Sequence, residues 1–309
     1  MPPRHMLLSI AAGIAATLLT LSALSMSLGG VLLSSLAQLP IFLVGLSLGV
    51  HAAALAAASS MAVASLMVRL EFGVFFGLAV GAPAVILIRQ ALLCRMDRDT
   101  LRWYPPAGLL LTALGLSIAV MATALPSALW PNPDQVERAR DILEGLPAEL
   151  RGEFGGAPGE GLIRMALAFL PGFLGIGFFF LLAVNASLAQ FVLGRFGWTL
   201  RPSPALRDLA LPGWFATGAA IAGIGALLPG HAGILGGNLA LLCAVGFVFA
   251  GLAVLHAILH DTPARGVLLA IAYAALLLFA PAILVIAILG IAEPWLKLRE
   301  RFAGPAPAL

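Results

Sequence analysis

The sequence predicts an all-α fold, a polytopic transmembrane helical bundle of eight to nine spans with kinked and broken helices, and three observations carry this. Of 309 residues, 61% are hydrophobic and only 10% are charged, against roughly 25% charged in a soluble domain. A soluble enzyme is excluded. Apolar stretches long enough to cross a bilayer, about 20 residues each, follow one another from Leu7 almost to the end. They are continuous and rich in Ala, Leu and Gly instead of alternating with polar residues, which excludes a barrel.

In chain order the candidate spans are 6–28, 31–49, 51–68, 72–93, 105–129, 162–193, 209–229, 238–258 and 266–291. The first run also has a signal-peptide reading, with Arg4 as its basic region and Ala23-Leu24-Ser25 as a poor cleavage site. A retained helix suits it better. The second and third share only Gly49-Val50-His51 as a break, so a re-entrant or tilted pair is the alternative there. The chain reads as one membrane domain over 1–309, with an amphipathic insertion at 130–160 and a polar tail at 293–309.

Short-loop arginines set orientation, because Lys and Arg are retained on the cytoplasmic side. Arg95, Arg98 and Arg102 mark one inside loop, and Arg195, Arg201 and Arg207 mark another two spans later. Contact with lipid headgroups is the default reading for all six. The insertion at 130–160 is net −4 in a chain of net +3 and falls outside, with the N-terminus inside. Counting forward leaves Lys297, Arg299 and Arg301 outside, against the rule, so either the tail is an exception or one span is miscounted.

The insertion itself has a helix-start signature. Asn132 can cap, Pro133 suits the first position, and Gln135 stands three residues after the cap. Val136, Ala139, Leu143 and Leu146 then repeat at helical spacing. A short surface helix follows, ended by Gly145 and Pro147, with a flexible return at 155–159.

Chemistry-bearing residues are few. Ionisable groups inside spans are functional candidates by default, yet no Asp, Glu or Lys falls in the middle of a span. Neither HExxH nor GxSxG occurs, no catalytic residue is assigned, and the expectation is a protein that is not an enzyme. The polar candidates for holding a ligand are Asn185, Gln190 and His256, with Gln38 and His51 as further uncharged or neutral groups. Hydrogen bonding to a neighbouring helix is their commoner use. His256 and His260 stand i, i+4 beside Asp261, but no third ligand is in view, so no metal site and no cofactor is assigned. Asp97 and Asp99 are read as solvated charge among arginines.

Backbone punctuation is richer. Pro40, Pro83, Pro171 and Pro281 fall inside apolar runs, and each removes a helical hydrogen bond that something else must replace. Broken helices of this kind line cavities in transporters, although ordinary packed kinks are commoner. Small residues repeat at four-residue spacing: Gly73, Gly77 and Gly81, Gly45 and Gly49, and Ala54, Ala58 and Ala62. Such ridges let helices approach closely.

Several strings carry a resemblance. Trp103-Tyr104-Pro105-Pro106, the run from Asn185 to Gln190, Arg195-Phe196-Gly197, the run from Leu200 to Pro204, the run from Leu211 to Trp214, and Leu255-His256 together resemble the YybS-like family of bacterial membrane proteins, a domain of unknown function. The resemblance covers nearly the whole chain. Where the family pattern has acidic residues on both sides of a tryptophan, this chain has Glu293-Pro294-Trp295 and then Lys297. At greater distance the chain is similar to the substrate-binding S components of energy-coupling-factor transporters. These bind small molecules in a helical bundle and dock on a coupling subunit through small-residue ridges, and Ala11/Ala15 and Ala12/Ala16 are of that type. The resemblance implies a bacterial inner-membrane, small-molecule-binding subunit with an unidentified ligand, partnered by the lipid bilayer and other membrane subunits and not by nucleic acid. A membrane scaffold or assembly factor is the alternative. No nucleotide-binding loop is present, so ATP-driven work would need another protein.

Overall fold

The computed structural model describes residues 1–97, 100–145 and 160–302. Arg98, Asp99, Leu146, the return at 155–159 and the end of the tail lie outside the described residues. The chain divides into two compact units, one formed by Met1–Leu116 with Phe179–Leu209 and the other by Ser117–Phe178 with Ala210–Leu309.

The first unit begins with α1 (Pro3–Leu21), followed by α2 (Leu28–Ser34), α3 (Leu39–Leu48) and α4 (Val50–Met67). Next come α5 (Leu70–Phe76), a π-helical segment (Gly77–Gly81) and α6 (Ala82–Ala91). Gly49, at φ 100°, makes the turn between α3 and α4. L-residues rarely adopt that backbone. The arginine loop that the sequence leaves unstructured holds a hairpin, β1 (Cys94–Asp97) with β2 (Thr100–Trp103), antiparallel with Cys94 opposite Trp103. α7 (Pro106–Leu129) then leads into the second unit.

Helices in lipid gain little from apolar burial against one another, so close approach has to come from small side chains. On α1, Gly13 faces Ala56, Ser59 and Ser60 of α4 with no room for a Cβ, and Thr17 Oγ1 donates to the Ser60 carbonyl at 3.0 Å. Ala12 and Ala16 are buried on this side, whereas Ala11 is exposed and Ala15 half-buried. Gly73 and Gly77 lie against Met61 of α4, and Gly81 against Ala57. The ridge of α4 that is buried is Ala52, Ala56, Ser60 and Ala64. Ala54, Ala58 and Ala62, the ridge suggested by the sequence, are exposed. Both sets have the same spacing, and spacing alone does not choose the face.

In the second unit α8 (Pro133–Glu144) starts with the expected reciprocal cap. Gln135 N–H donates to Asn132 Oδ1 at 2.8 Å, and Asn132 N–H donates to Gln135 Oε1 at 3.0 Å. α9 (Glu160–Phe196) is continuous through Pro171. α10 (Gly213–Ala226) turns at Gly230 into α11 (His231–Ile258), and α12 (Arg265–Leu278) and α13 (Ala280–Leu296) follow, with a short α14 (Leu298–Phe302). α13 runs back along α11: Gly251 meets the Ile286 carbonyl and Gly290 meets the Phe247 carbonyl. Glu293 accepts from Leu298 N–H at 3.0 Å and pairs with Arg299 at 2.9 Å, tying the tail's first turn to α13.

Among the described residues seven helices are long and apolar enough to cross a membrane, or eight if the pair α12–α13 counts as one span. Two expectations change. The span placed at 209–229 is the 14-residue α10, about 21 Å long against a hydrocarbon core of about 30 Å. The span placed at 266–291 is two helices bent by 119°. Phe279 leaves the helical backbone there (φ −133°, ψ 95°), in the extended conformation of an N-cap, with Pro281 in the first turn of α13.

These glycine crossings give a graded prediction. Leucine at Gly290 drives a side chain into the Phe247 backbone, which cannot move like a side chain, and lowers stability by about 3 kcal/mol or more. Leucine at Gly218, which has open space around it, changes it by less than about 0.5 kcal/mol. Thermal unfolding of the two variants in one detergent compares them.

Candidate functional site

The four prolines are the starting point, because each leaves a backbone group without its helical partner. Pro40 has no N–H for the Leu36 carbonyl, and that carbonyl is taken instead by Leu39 N–H at 3.0 Å. The shift deprives the Ser35 carbonyl of its own helical donor. Asn185, on α9, fills the gap: its Nδ2 donates to the Ser35 carbonyl and to the Leu181 carbonyl, each at 2.8 Å. One turn along from Ser35, Gln38 Nε2 donates to the Val80 carbonyl at 3.3 Å, within the π segment that precedes Pro83.

Both amides are buried, Asn185 at 1% and Gln38 at 5% exposure. Their donor ends are committed to carbonyls, which fixes which end of each amide is nitrogen. Their acceptor ends, Asn185 Oδ1 and Gln38 Oε1, have no hydrogen-bond partner. Leaving such an oxygen unpaired costs about 1–3 kcal/mol each. The first unit therefore holds two buried oxygens able to accept hydrogen bonds, one on Gln38 and one on the Asn185 that reaches the Ser35 carbonyl.

A second cluster closes the same unit. Arg201 is 5% exposed and donates through Nη1 to the Ala91 carbonyl at 2.7 Å, at the C-terminal end of α6. Its Nη2 reaches the Tyr104 carbonyl at 3.4 Å, and its guanidinium carbon lies 5.6 Å from the centre of the Trp103 ring. Burial lowers its pKa from the ordinary arginine value, but a guanidinium stays charged. Arg201 thus departs from the lipid-headgroup reading. The helix end, the hairpin end and an aromatic face hold its charge inside the protein. Gln190 belongs here too, since its Nε2 donates to the Arg201 carbonyl at 3.0 Å and to Ser203 Oγ at 3.3 Å. Segments that carry the family resemblance, 103–104, 190 and 200–203, meet at this point. Arg95, Arg102, Arg195 and Arg207 are exposed, and Arg102 pairs with Asp97 at 3.0 Å.

The three sequence-predicted ligand residues are not brought to one place. Asn185 and Gln190 serve separate clusters of the first unit, and His256 lies in the second. There His256 Nδ1 meets its own Leu252 carbonyl at 2.9 Å and its ring stacks edge-on to Tyr273. His260 lies beside Asp261 and Arg265. Among the described residues no group of three or more His, Cys, Asp or Glu side chains is placed to hold a metal.

Asn238 is the polar residue that the sequence reading passed over. Fully buried in α11, it accepts from Gly172 N–H at 2.6 Å through Oδ1 and donates to the Ala168 carbonyl at 2.8 Å through Nδ2. Those are the two groups that an uninterrupted helix joins to each other. The carboxamide is spliced into α9 beside Pro171, and Gly172 gives it room. An asparagine in the middle of an apolar run was the available signal.

A bundle of apolar helices broken at prolines, with its polar groups turned inward, defines a polytopic α-helical membrane protein. The family described as a predicted membrane protein (DUF2232) matches residues 13–293, and the chain belongs to that family. No curated protein and no solved structure matches it.

The splice makes a prediction. Asn238→Leu strands two buried backbone groups and lowers stability by about 2–5 kcal/mol. Adding Pro171→Ala gives back an N–H and lets a regular helix close, so the double variant is more stable than Asn238→Leu alone. Thermal or denaturant unfolding of the set measures the coupling. Arg201→Lys is also destabilising, by about 1–3 kcal/mol, because an ammonium cannot span both carbonyls.

Proposed function

We propose that this membrane protein is a non-enzymatic, small-molecule-binding subunit with a transport-related role in the bacterial inner membrane, and that its ligand sits at the turn 35–38 in the first unit. The observation that carries the reading is the pair of unpartnered amide oxygens, Gln38 Oε1 and Asn185 Oδ1. A chain that needed these amides only as struts has no use for a buried acceptor on each. Broken helices beside buried polar groups are the common construction of substrate sites in membrane transporters, and the distant likeness to transporter S components points the same way. The N-terminus is cytoplasmic in this reading, because the arginines of the hairpin and of the loop after α9 then lie inside. Without a nucleotide-binding loop, energy coupling falls to a partner subunit that co-purifies in mild detergent.

The test is thermal unfolding of the full chain in lipid nanodiscs against a panel of small polar metabolites and simple salts, sodium, potassium and ammonium chloride included. A ligand at 100 times its Kd adds about 2.7 kcal/mol of stability, so at least one compound raises the Tm of the wild type and fails to do so in Gln38→Met. If no compound shifts the wild type, or the shift survives in Gln38→Met, the reading is wrong.

A further inference from the structure

We infer that the group recognised at Gln38 and Asn185 is a monovalent cation, either an alkali ion or the ammonium of a small amine. This rests on the ligand-site reading above and names its chemical class. Both N–H groups of Asn185 and one of Gln38 are already engaged, and each amide presents an unpaired oxygen. Every amide N–H of Asn185 and Gln38 that is hydrogen-bonded points at a backbone carbonyl, of Ser35, Leu181 or Val80. What remains toward a ligand is Asn185 Oδ1 and Gln38 Oε1, both buried and unpaired. A carboxylate, phosphate or keto group would meet oxygen with oxygen and be repelled. A donor or a cation would be held.

Charge narrows the class further. Glu71, at the start of α5, is the single carboxylate between residues 1 and 96, and the stretch of α9 in this unit has none. Divalent ions take their binding energy largely from carboxylates, and a neutral set of oxygens cannot replace those for a doubly charged ion. For one positive charge, amide and carbonyl dipoles are enough. Helices unwound so that carbonyls and side-chain oxygens face a cation are a known physical solution in bundles of this kind. Here the unwinding is visible in the backbone: the turn ahead of Pro40 runs on i, i+3 hydrogen bonds, which leaves the Ser35 carbonyl to Asn185.

The experiment follows the Tm of the full-length protein in nanodiscs while NaCl, KCl, ammonium chloride or methylammonium chloride replaces choline chloride at constant ionic strength. A saturable rise in one alkali salt assigns an inorganic ion, and a rise confined to the ammonium salts assigns an amine ligand. In Gln38→Met, which keeps the volume and removes the oxygen, the half-saturating concentration rises about tenfold or more. In Gln38→Glu, at a pH where the carboxylate is ionised, it falls. A purely structural glutamine would change the Tm of both variants equally in every salt, and that result overturns the inference. So does a wild-type Tm identical in all five salts. If a neutral compound instead stabilises the wild type and not Gln38→Met, the ligand-site reading stands and the cation is wrong. If nothing of any class does so, both fail.

Discussion

In the hydrocarbon interior no water satisfies a backbone N–H or C=O, so every interruption of a helix must be answered by another protein group. Pro40, Pro83, Pro171 and Pro281, four of the chain's 21 prolines, meet that constraint in four ways. At Pro40 the backbone tightens by one residue and a side-chain amide from α9 takes the carbonyl left over. Before Pro83 the helix widens into a π turn, where Ala82 N–H reaches back to the Gly77 carbonyl, and a glutamine amide joins it. At Pro171 an asparagine carboxamide bridges the neighbouring pair, Gly172 N–H and the Ala168 carbonyl, and the helix continues. At Pro281 the helix stops and a new one sets off at a different angle. The three buried amide side chains, Gln38, Asn185 and Asn238, all lie at those breaks.

Close packing is the second half of the construction. Gly13 of α1 against α4, Gly172 around Asn238, and Gly251 and Gly290 at the α11–α13 crossing all sit where a Cβ has no space. These contacts bring backbones near enough for side chains as short as Asn and Thr to bridge neighbouring helices. Thr17 reaching Ser60 and Asn238 reaching Ala168 both depend on such an approach.

Much of this was legible in the amino-acid sequence. Apolar run length located the helices, the positions of proline marked the irregular places, and Asn132, Pro133 and Gln135 spelled out a cap that forms as written. What could not be read was direction. The four-residue spacing of alanines on α4 fits two faces equally, and the buried one is two residues away from the one suggested. A loop arginine has the same letter whether it meets a headgroup or, like Arg201, lies under a tryptophan against a helix end. Asn185, Gln190 and Asn238 look alike in sequence, and their partners are 150, 11 and 66 residues away. Such distances are set by the fold and leave no local trace.

Asn185 and Gln38 differ from the other buried polar residues in one respect. Asn238 uses both ends of its amide, whereas these two use the nitrogen and leave the oxygen open. The directest measurement is an experimental density map of the full chain in a lipid nanodisc, resolved well enough to place small groups at Gln38 Oε1 and Asn185 Oδ1. Density for a bound group within about 3 Å of both oxygens, absent from the same map of Gln38→Met, is the predicted result. Two oxygens hydrogen-bonded to the protein itself, with no additional density beside them, would contradict the assignment of a ligand to this turn.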